Sequence, residues 1–207
     1  MIEDIFGVPV FIGEPVDKRY IDNILQDVDL KSFTKNNLSV QESRAHTWDC
    51  DVNTGIDVDL LSITEEGEWA HEFMHAISYE IRTYLRRVAP LHIDLIPIPY
   101  LWANYYEEGQ WQERHHHIGG FGEYEGIVSF NYIHKNIDEG GKFTFHHPSP
   151  FLNTQGFRFV PESKTILPSQ GTLIVFPSWL EHSVTMSKSD SPRISLSGNI
   201  RFKEESK

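Results

Sequence analysis

The chain has 207 residues, of which 39% are hydrophobic and 23% charged, and carries a net charge of −12. Those proportions are ordinary for a globular protein of one domain, and the acidic balance speaks against a general nucleic-acid binder, which needs a basic footprint. No apolar run approaches the roughly 20 residues of a membrane span, and the single cysteine, Cys50, allows neither an internal disulfide nor a cysteine-built zinc site.

The opening Met1-Ile-Glu-Asp-Ile-Phe6 is acidic and has no basic leader, so a cytoplasmic location without a secretory signal is expected. Residues 6–12 read as a short strand, with Pro9 pointing to a sheet edge. Residues 17–30 carry Tyr20, Ile21, Ile24, Leu25 and Val28 at helical spacing, with Asp17 as N-cap. Residues 31–62 are polar and rich in Asn, Ser, Thr and Asp; they read as loop with short extended pieces, either a lid or a plain surface segment, with Trp48 as an anchor.

The spacing over 65–88 predicts the longest helix. Ser62 and Glu65 have capping-box spacing, and Trp69, Phe73, Ala76, Ile77, Glu80, Ile81, Tyr84, Leu85 and Val88 recur at three and four. Arg82, Arg86 and Arg87 suit the C-terminal end of its dipole, and Pro90 stops it. Inside it, His71-Glu-Phe-Met-His75 matches the H-E-x-x-H zinc protease signature. At about 100° per residue, however, both histidines fall roughly 100–150° from the centre of the apolar stripe. A solvated histidine pair is the expectation.

From His92 the pattern becomes β. Strand-like runs at 92–96, 100–106, 126–133, 142–145, 172–176, 182–186 and 194–202 are punctuated by glycine and proline. About seven or eight short strands of this kind imply a sandwich, jelly roll or barrel. The expectation is therefore one domain over 1–207, mainly β with N-terminal helices, in which a helical and loop part over 1–90 packs on a β core over 91–207.

Between two of these runs stands His115-His-His117, three of the eleven histidines. Imidazole is the commonest ligand for iron, zinc and copper, and residues two apart on a strand share a face. His115 and His117 can therefore point one way and His116 the other. A third ligand candidate is His182, delivered after the buried run Thr172-Leu-Ile-Val-Phe176 and a turn at Pro177-Ser178. Arg193 opens a strand whose other residues are small or apolar; a buried guanidinium there needs an anion, either an internal carboxylate or a ligand.

The combination resembles the iron(II)- and 2-oxoglutarate-dependent oxygenases, in their prolyl-4-hydroxylase-like branch with its bacterial and phage relatives. The resemblance rests on Trp102-Ala-Asn104, Gln112-Glu-Arg-His115-His-His117, Gly140-Gly-Lys-Phe-Thr-Phe-His-His-Pro148, Phe176-Pro-Ser-Trp-Leu-Glu-His182 and Arg193-Ile-Ser195. It spans roughly residues 100–202 and leaves the first 90 unexplained. It implies a double-stranded β-helix (cupin-like jelly roll) with Fe(II) at its mouth, 2-oxoglutarate as cosubstrate and ascorbate as auxiliary reductant. His115 and His182 would be ligands, with no catalytic residue beyond the metal centre. Arg193 and Ser195 would bind the far carboxylate of 2-oxoglutarate, with Tyr105 touching it too and Asn131 and Tyr132 as further pocket candidates. The implied activity is hydroxylation of a C–H bond in a small molecule or a peptide side chain, with release of succinate and CO2; neither nucleic acid nor membrane is a partner, and a homodimer is compatible. The acidic charge mildly favours a neutral or basic substrate.

One position departs from the family pattern: the carboxylate two residues after the first histidine is His117 here. Three arrangements follow: His117 itself ligates, Glu123 reaches in, or the set begins at His117 with Gly119 in the carboxylate position, as in iron halogenases. The first is preferred because the bacterial and phage relatives also look like His-x-His. The main alternative is a cupin-type dioxygenase or isomerase, since Gly109, His115, His117, Glu123 and His182 nearly reproduce the cupin pattern, with the glutamate one residue too far. A metal-free binding module is the third class.

Overall fold

The computed structural model describes residues 1–31, 53–59, 68–88, 94–118, 128–136, 141–149 and 161–203. The expected caps and breakers at Ser62, Glu65 and Pro90, the Trp48 anchor, and Gly119 and Glu123 lie outside them.

Among the described residues eleven strands form two antiparallel sheets. The larger runs β1(Ile2–Ile5), β2(Val8–Gly13), β9(Leu173–Pro177), β6(Val128–Lys135), β11(Arg193–Lys203), β4(Asp94–Tyr106), β3(Asn53–Asp59). The smaller runs β5(Gln112–His115), β10(His182–Val184), β7(Phe143–His146), β8(Ser163–Ile166). Two helices are described, α1(Lys18–Leu25) and α2(Glu68–Val88).

The central strands of the larger sheet are buried on both faces, which is why they read as continuous apolar runs rather than alternating ones. On β9, Leu173 and Val175 join the core under the helices, while Ile174 and Phe176 join the core shared with the smaller sheet. The same division runs through β11. Leu196 and Ile200 face the helices, whereas Arg193, Ser195 and Ser197 are buried polar residues on the opposite face. That second face is where the sheet surrenders apolar packing, and such a surrender marks a site rather than a core.

Helix α2 follows the expected stripe: Phe73, Ala76, Ile77, Glu80, Ile81, Tyr84 and Leu85 are buried. Its two polar core members are tied to the N-terminal segment. Glu80 Oε1 accepts the Val16 N–H at 2.8 Å, and the Tyr84 hydroxyl donates to the Pro9 carbonyl at 2.9 Å. His75 is exposed, but His71 is half-buried with its Nε2 enclosed, so the pair is not the freely solvated one expected. No described helix is long and apolar enough to cross a membrane.

Several expected elements differ. Pro9 lies in β2, which is not an edge strand, yet β2 meets β9 only from Phe11 to Gly13, so the missing N–H faces no ladder there. Helix α1 ends at Leu25 rather than at 30, and Asp17 makes no side-chain cap bond. The runs at 92–96 and 100–106 are one strand, β4. Pro97 and Pro99 survive within it because β3 pairs only with Tyr100–Tyr105 and the β11 register skips between Gly198 and Ile200. Strand β3 is one of the extended pieces expected within 31–62, whereas β5 and β8 are strands beyond the expected runs.

Candidate metal centre

His115 ends β5 and His182 begins β10, and the two are direct cross-strand partners. Antiparallel pairing alone therefore sets their rings side by side, with centroids 4.2 Å apart. His117 lies just past the strand, where simple alternation no longer applies. Its backbone N–H donates to the Ser178 carbonyl at 2.8 Å, which folds the chain against the turn after β9. Its ring then stands 5.3 Å from that of His115 and 5.0 Å from that of His182. One nitrogen from each of the three lies within 4.8 Å of the other two. His116, exposed, takes no part.

The outer nitrogens are already engaged. His115 Nδ1 sits 2.8 Å from the Glu113 carbonyl and His182 Nδ1 sits 3.0 Å from the Leu180 carbonyl. A carbonyl can only accept, so each Nδ1 carries the proton and each Nε2 keeps its lone pair. His117 Nδ1 faces Asn199 Oδ1 at 2.9 Å and Ser129 Oγ at 3.0 Å. Three imidazoles with lone pairs turned to one point are the donor set of a metal site. No carboxylate belongs to this group among the described residues. Glu181 and Arg114, nearby in sequence, pair with each other at a partly exposed position.

The aromatic wall dries the site. Phe143 stacks on the His182 ring at 5.2 Å, and Phe176 meets it at 4.7 Å. Burial first, then the neighbouring His115 and His117, hold the His182 pKa well below 6.5, so the ring is neutral at physiological pH. Burial also lowers His134 and His146. All three bind a proton more readily in the unfolded chain, so protonation favours unfolding. The metal-free protein should accordingly lose stability as pH falls through 6.5, the ordinary histidine value, and below it. Urea titrations at about pH 7.5 and about pH 5.5 check this: the midpoint should be lower at the acidic value.

A cavity opens over the histidines, lined also by Trp102 and Asn104 of β4, Asn131 of β6 and Ser197 of β11. Ser197 Oγ accepts from Asn131 Nδ2 at 2.7 Å and from Asn104 Nδ2 at 3.1 Å. Along the same face of β11 follow Ser195 and then Arg193, which has no exposed surface. Arg193 Nη1 reaches Ser195 Oγ at a long 3.4 Å, while Nε and Nη2 are buried without a partner. The guanidinium stands 4.8 Å over the Tyr106 ring. Burial lowers its pKa, yet a guanidinium keeps its charge in a protein. The internal carboxylate considered as its partner is not present among the described residues. A buried cation with two idle donors is costly, and an anionic ligand would satisfy it.

Tyr105 is not brought to this site. It lies on the helix-side face of β4, half-buried, with Lys31 Nζ 4.6 Å above its ring. Tyr106 takes the inward place instead, its hydroxyl donating to Gln112 Oε1 at 2.8 Å. Strand parity carries that signal: Trp102 and Asn104 point inward, so 106 does and 105 does not. Asn131 lines the cavity as expected; Tyr132 points the other way, into the core under α2. His71 and His75 belong to no such cluster among the described residues. Asn199, Ser129 and Ser178 carried no sequence signal of their own.

The comparisons with known proteins agree with this geometry. The family model described as "Putative 2OG-Fe(II) oxygenase" matches residues 100–199. No curated protein sequence matches the chain. Among solved structures, a Pseudomonas putida prolyl-4-hydroxylase is similar at 14% identity and a TM-score of 0.59, over 97% of this chain and 96% of that one. A viral collagen prolyl hydroxylase from Paramecium Bursaria Chlorella virus-1, solved as a 2OG complex, is similar at 13% identity and a TM-score of 0.54, over 92% and 94%. The 2OG-dependent epimerase SnoN from nogalamycin biosynthesis is similar at 14% identity and a TM-score of 0.53, over 89% and 82%. These likenesses give the fold, the double-stranded β-helix, with α1 and α2 packed on its larger sheet. The matched stretch, residues 100–199, holds the three histidines and the buried arginine.

Proposed function

We propose that His115, His117 and His182 together hold Fe(II), and that Arg193 with Ser195 grips the far carboxylate of 2-oxoglutarate. The observation that carries this reading is the buried guanidinium with two unpartnered donors, on the strand face that leads to the histidine cluster. Ser195 Oγ faces Arg193 Nη1 at 3.4 Å and Asn131 Nδ2 at 3.3 Å. With both lone pairs so engaged, its own proton is left to donate to a carboxylate. Tyr106 supports the guanidinium from below. Tyr105, on the opposite face, has no part in this arrangement.

When bound, Fe(II) and 2-oxoglutarate supply the oxidising chemistry of the family, in which dioxygen and the keto acid are consumed, succinate and CO2 are released, and a substrate C–H bond is oxidised. The chain's own contribution is geometry and dryness. Phe143 and Phe176 exclude water behind the histidines, and the Asn104–Ser197–Asn131 network fixes a polar wall across from them. The substrate class that fits is a small molecule or a peptide side chain, hydroxylated at carbon. We read residues 1–207 as one domain acting in the cytoplasm; the packing of α2 on the larger sheet supports the former. A cupin-type enzyme would leave the buried arginine without a role.

Anaerobic titration tests the reading. Addition of Fe(II) and then 2-oxoglutarate should produce the weak visible charge-transfer band of a chelated keto acid. Binding of iron without any band or any 2-oxoglutarate affinity would return the protein to the cupin reading.

A further inference from the structure

We propose that Asn199, braced by Ser129 and Ser178, is a positioning residue that fixes the tautomer of His117 and thereby makes a third histidine usable as a ligand. The inference rests on the three-histidine reading given above. A carboxylate in that position would need no such help, because it ligates in one ionised form. An imidazole needs a lone pair on the inner nitrogen and a proton on the outer one.

His115 and His182 obtain this from backbone. Their Nδ1 atoms face carbonyls two residues earlier, at 2.8 and 3.0 Å, and those carbonyls would be present whatever residue supplied them. His117 differs, because its Nδ1 faces side chains, Asn199 Oδ1 at 2.9 Å and Ser129 Oγ at 3.0 Å. The tautomer is therefore written into these side chains. A serine hydroxyl alone would be ambiguous. Were it to donate to Nδ1, the ring proton would move to Nε2 and the lone pair facing the other histidines would be lost.

Asn199 removes the ambiguity. Its Oδ1 only accepts, and it lies 2.7 Å from Ser129 Oγ, the shortest contact in the group. Ser129 carries one proton. Given to Asn199, or to the Ser178 hydroxyl oxygen 2.9 Å away, it cannot go to His117. In either case the His117 ring must supply the proton of its own contact with Oδ1. The fold holds this arrangement firmly. Asn199 and Ser129 are direct partners across β11 and β6, and the β4 register skips at Asn199, so no β4 residue is paired opposite it. Ser178, in turn, carries the carbonyl that anchors the His117 backbone. One small polar cluster thus sets both the place and the protonation of the ring.

Two measurements test this, neither of which uses turnover. In the metal-free wild-type protein, long-range ¹H–¹⁵N correlation of the imidazoles should show His117 protonated at Nδ1. Finding it protonated at Nε2 would overturn the proposal. Co(II), bound in place of iron and read by its visible spectrum and by chelator competition, supplies the second. N199A should bind Co(II) about 10- to 100-fold more weakly, with a spectrum shifted toward that of H117A. N199D, which keeps the acceptor, should bind at least as tightly as wild type. Should N199A fold poorly, the contrast between N199D and N199L, similar in size but without the acceptor, carries the same test. If H117A loses affinity while N199A and N199L retain the wild-type affinity and spectrum, Asn199 is idle and the proposal fails while the three-histidine reading stands. If H117A itself binds Co(II) as wild type does, the three-histidine reading falls and this inference with it.

Discussion

Replacing Arg193 with leucine is expected to weaken 2-oxoglutarate binding by about 2–5 kcal/mol, the usual cost of removing one partner of a buried charge pair, while leaving metal affinity close to wild type. In dissociation constant that is a loss of roughly 30- to 5,000-fold. The same change should raise, not lower, the stability of the ligand-free protein. Arg193 is wholly buried with Nε and Nη2 unpartnered, so the empty protein carries a desolvated charge that the Tyr106 ring and the long Ser195 contact offset only in part. Replacing such a group by an apolar side chain of similar reach is commonly neutral or stabilising. Isothermal titration with 2-oxoglutarate on the metal-loaded protein gives the first number, and thermal unfolding of the metal-free protein gives the second. Opposite signs in the two experiments identify a residue kept for its ligand. A wild-type cosubstrate affinity in R193L would remove the cosubstrate role of the arginine. A large stability loss in the empty protein would instead make it a structural member of the core.

The parts of this molecule that could be read in advance are those where a short segment carries its own geometry. His182 was identifiable because an apolar run followed by Pro177-Ser178 demands a strand, a turn and a new strand start. Arg193 was identifiable because a charge at the head of a small and apolar strand has to be accounted for. Helix α2 was legible from spacing alone. The failures are where a distant partner decides. Pro97 and Pro99 look like breaks, and β4 runs through them only because β3 stops short and the β11 register skips there. The family resemblance implies Tyr105, but strand parity from Trp102 and Asn104 is the better guide and points to Tyr106. Asn199, Ser129 and Ser178 meet only because β11, β6 and the turn after β9 converge, and no local pattern announces that.

Replacement of His182 by alanine should abolish metal binding, whereas H71A and H75A should retain it. Loss of a hydrogen bond behind a ligand typically costs about 10- to 100-fold in metal affinity, so loss of the ligand should exceed that range. Of the three histidines, His182 is the most deeply buried, at 4% exposure, and its low pKa keeps it neutral and available. Its ring is also packed against Phe143 and Phe176, so alanine leaves a hole as well as a missing donor. H182F separates the two effects, since it fills the space and still offers no nitrogen. Elemental analysis after anaerobic loading and desalting should find both variants empty, with H182F the more stable of the two. The helix pair is the internal control, because it forms the only sequence motif in the chain that names a metal without the other histidines. His75 is exposed and His71 stands apart from any ligand group among the described residues, so neither substitution reaches the ion. Metal retained in H182F, or lost in H71A, would move the ion out of the β-helix and into α2, and Arg193 would then face a cavity with no metal for its ligand to chelate.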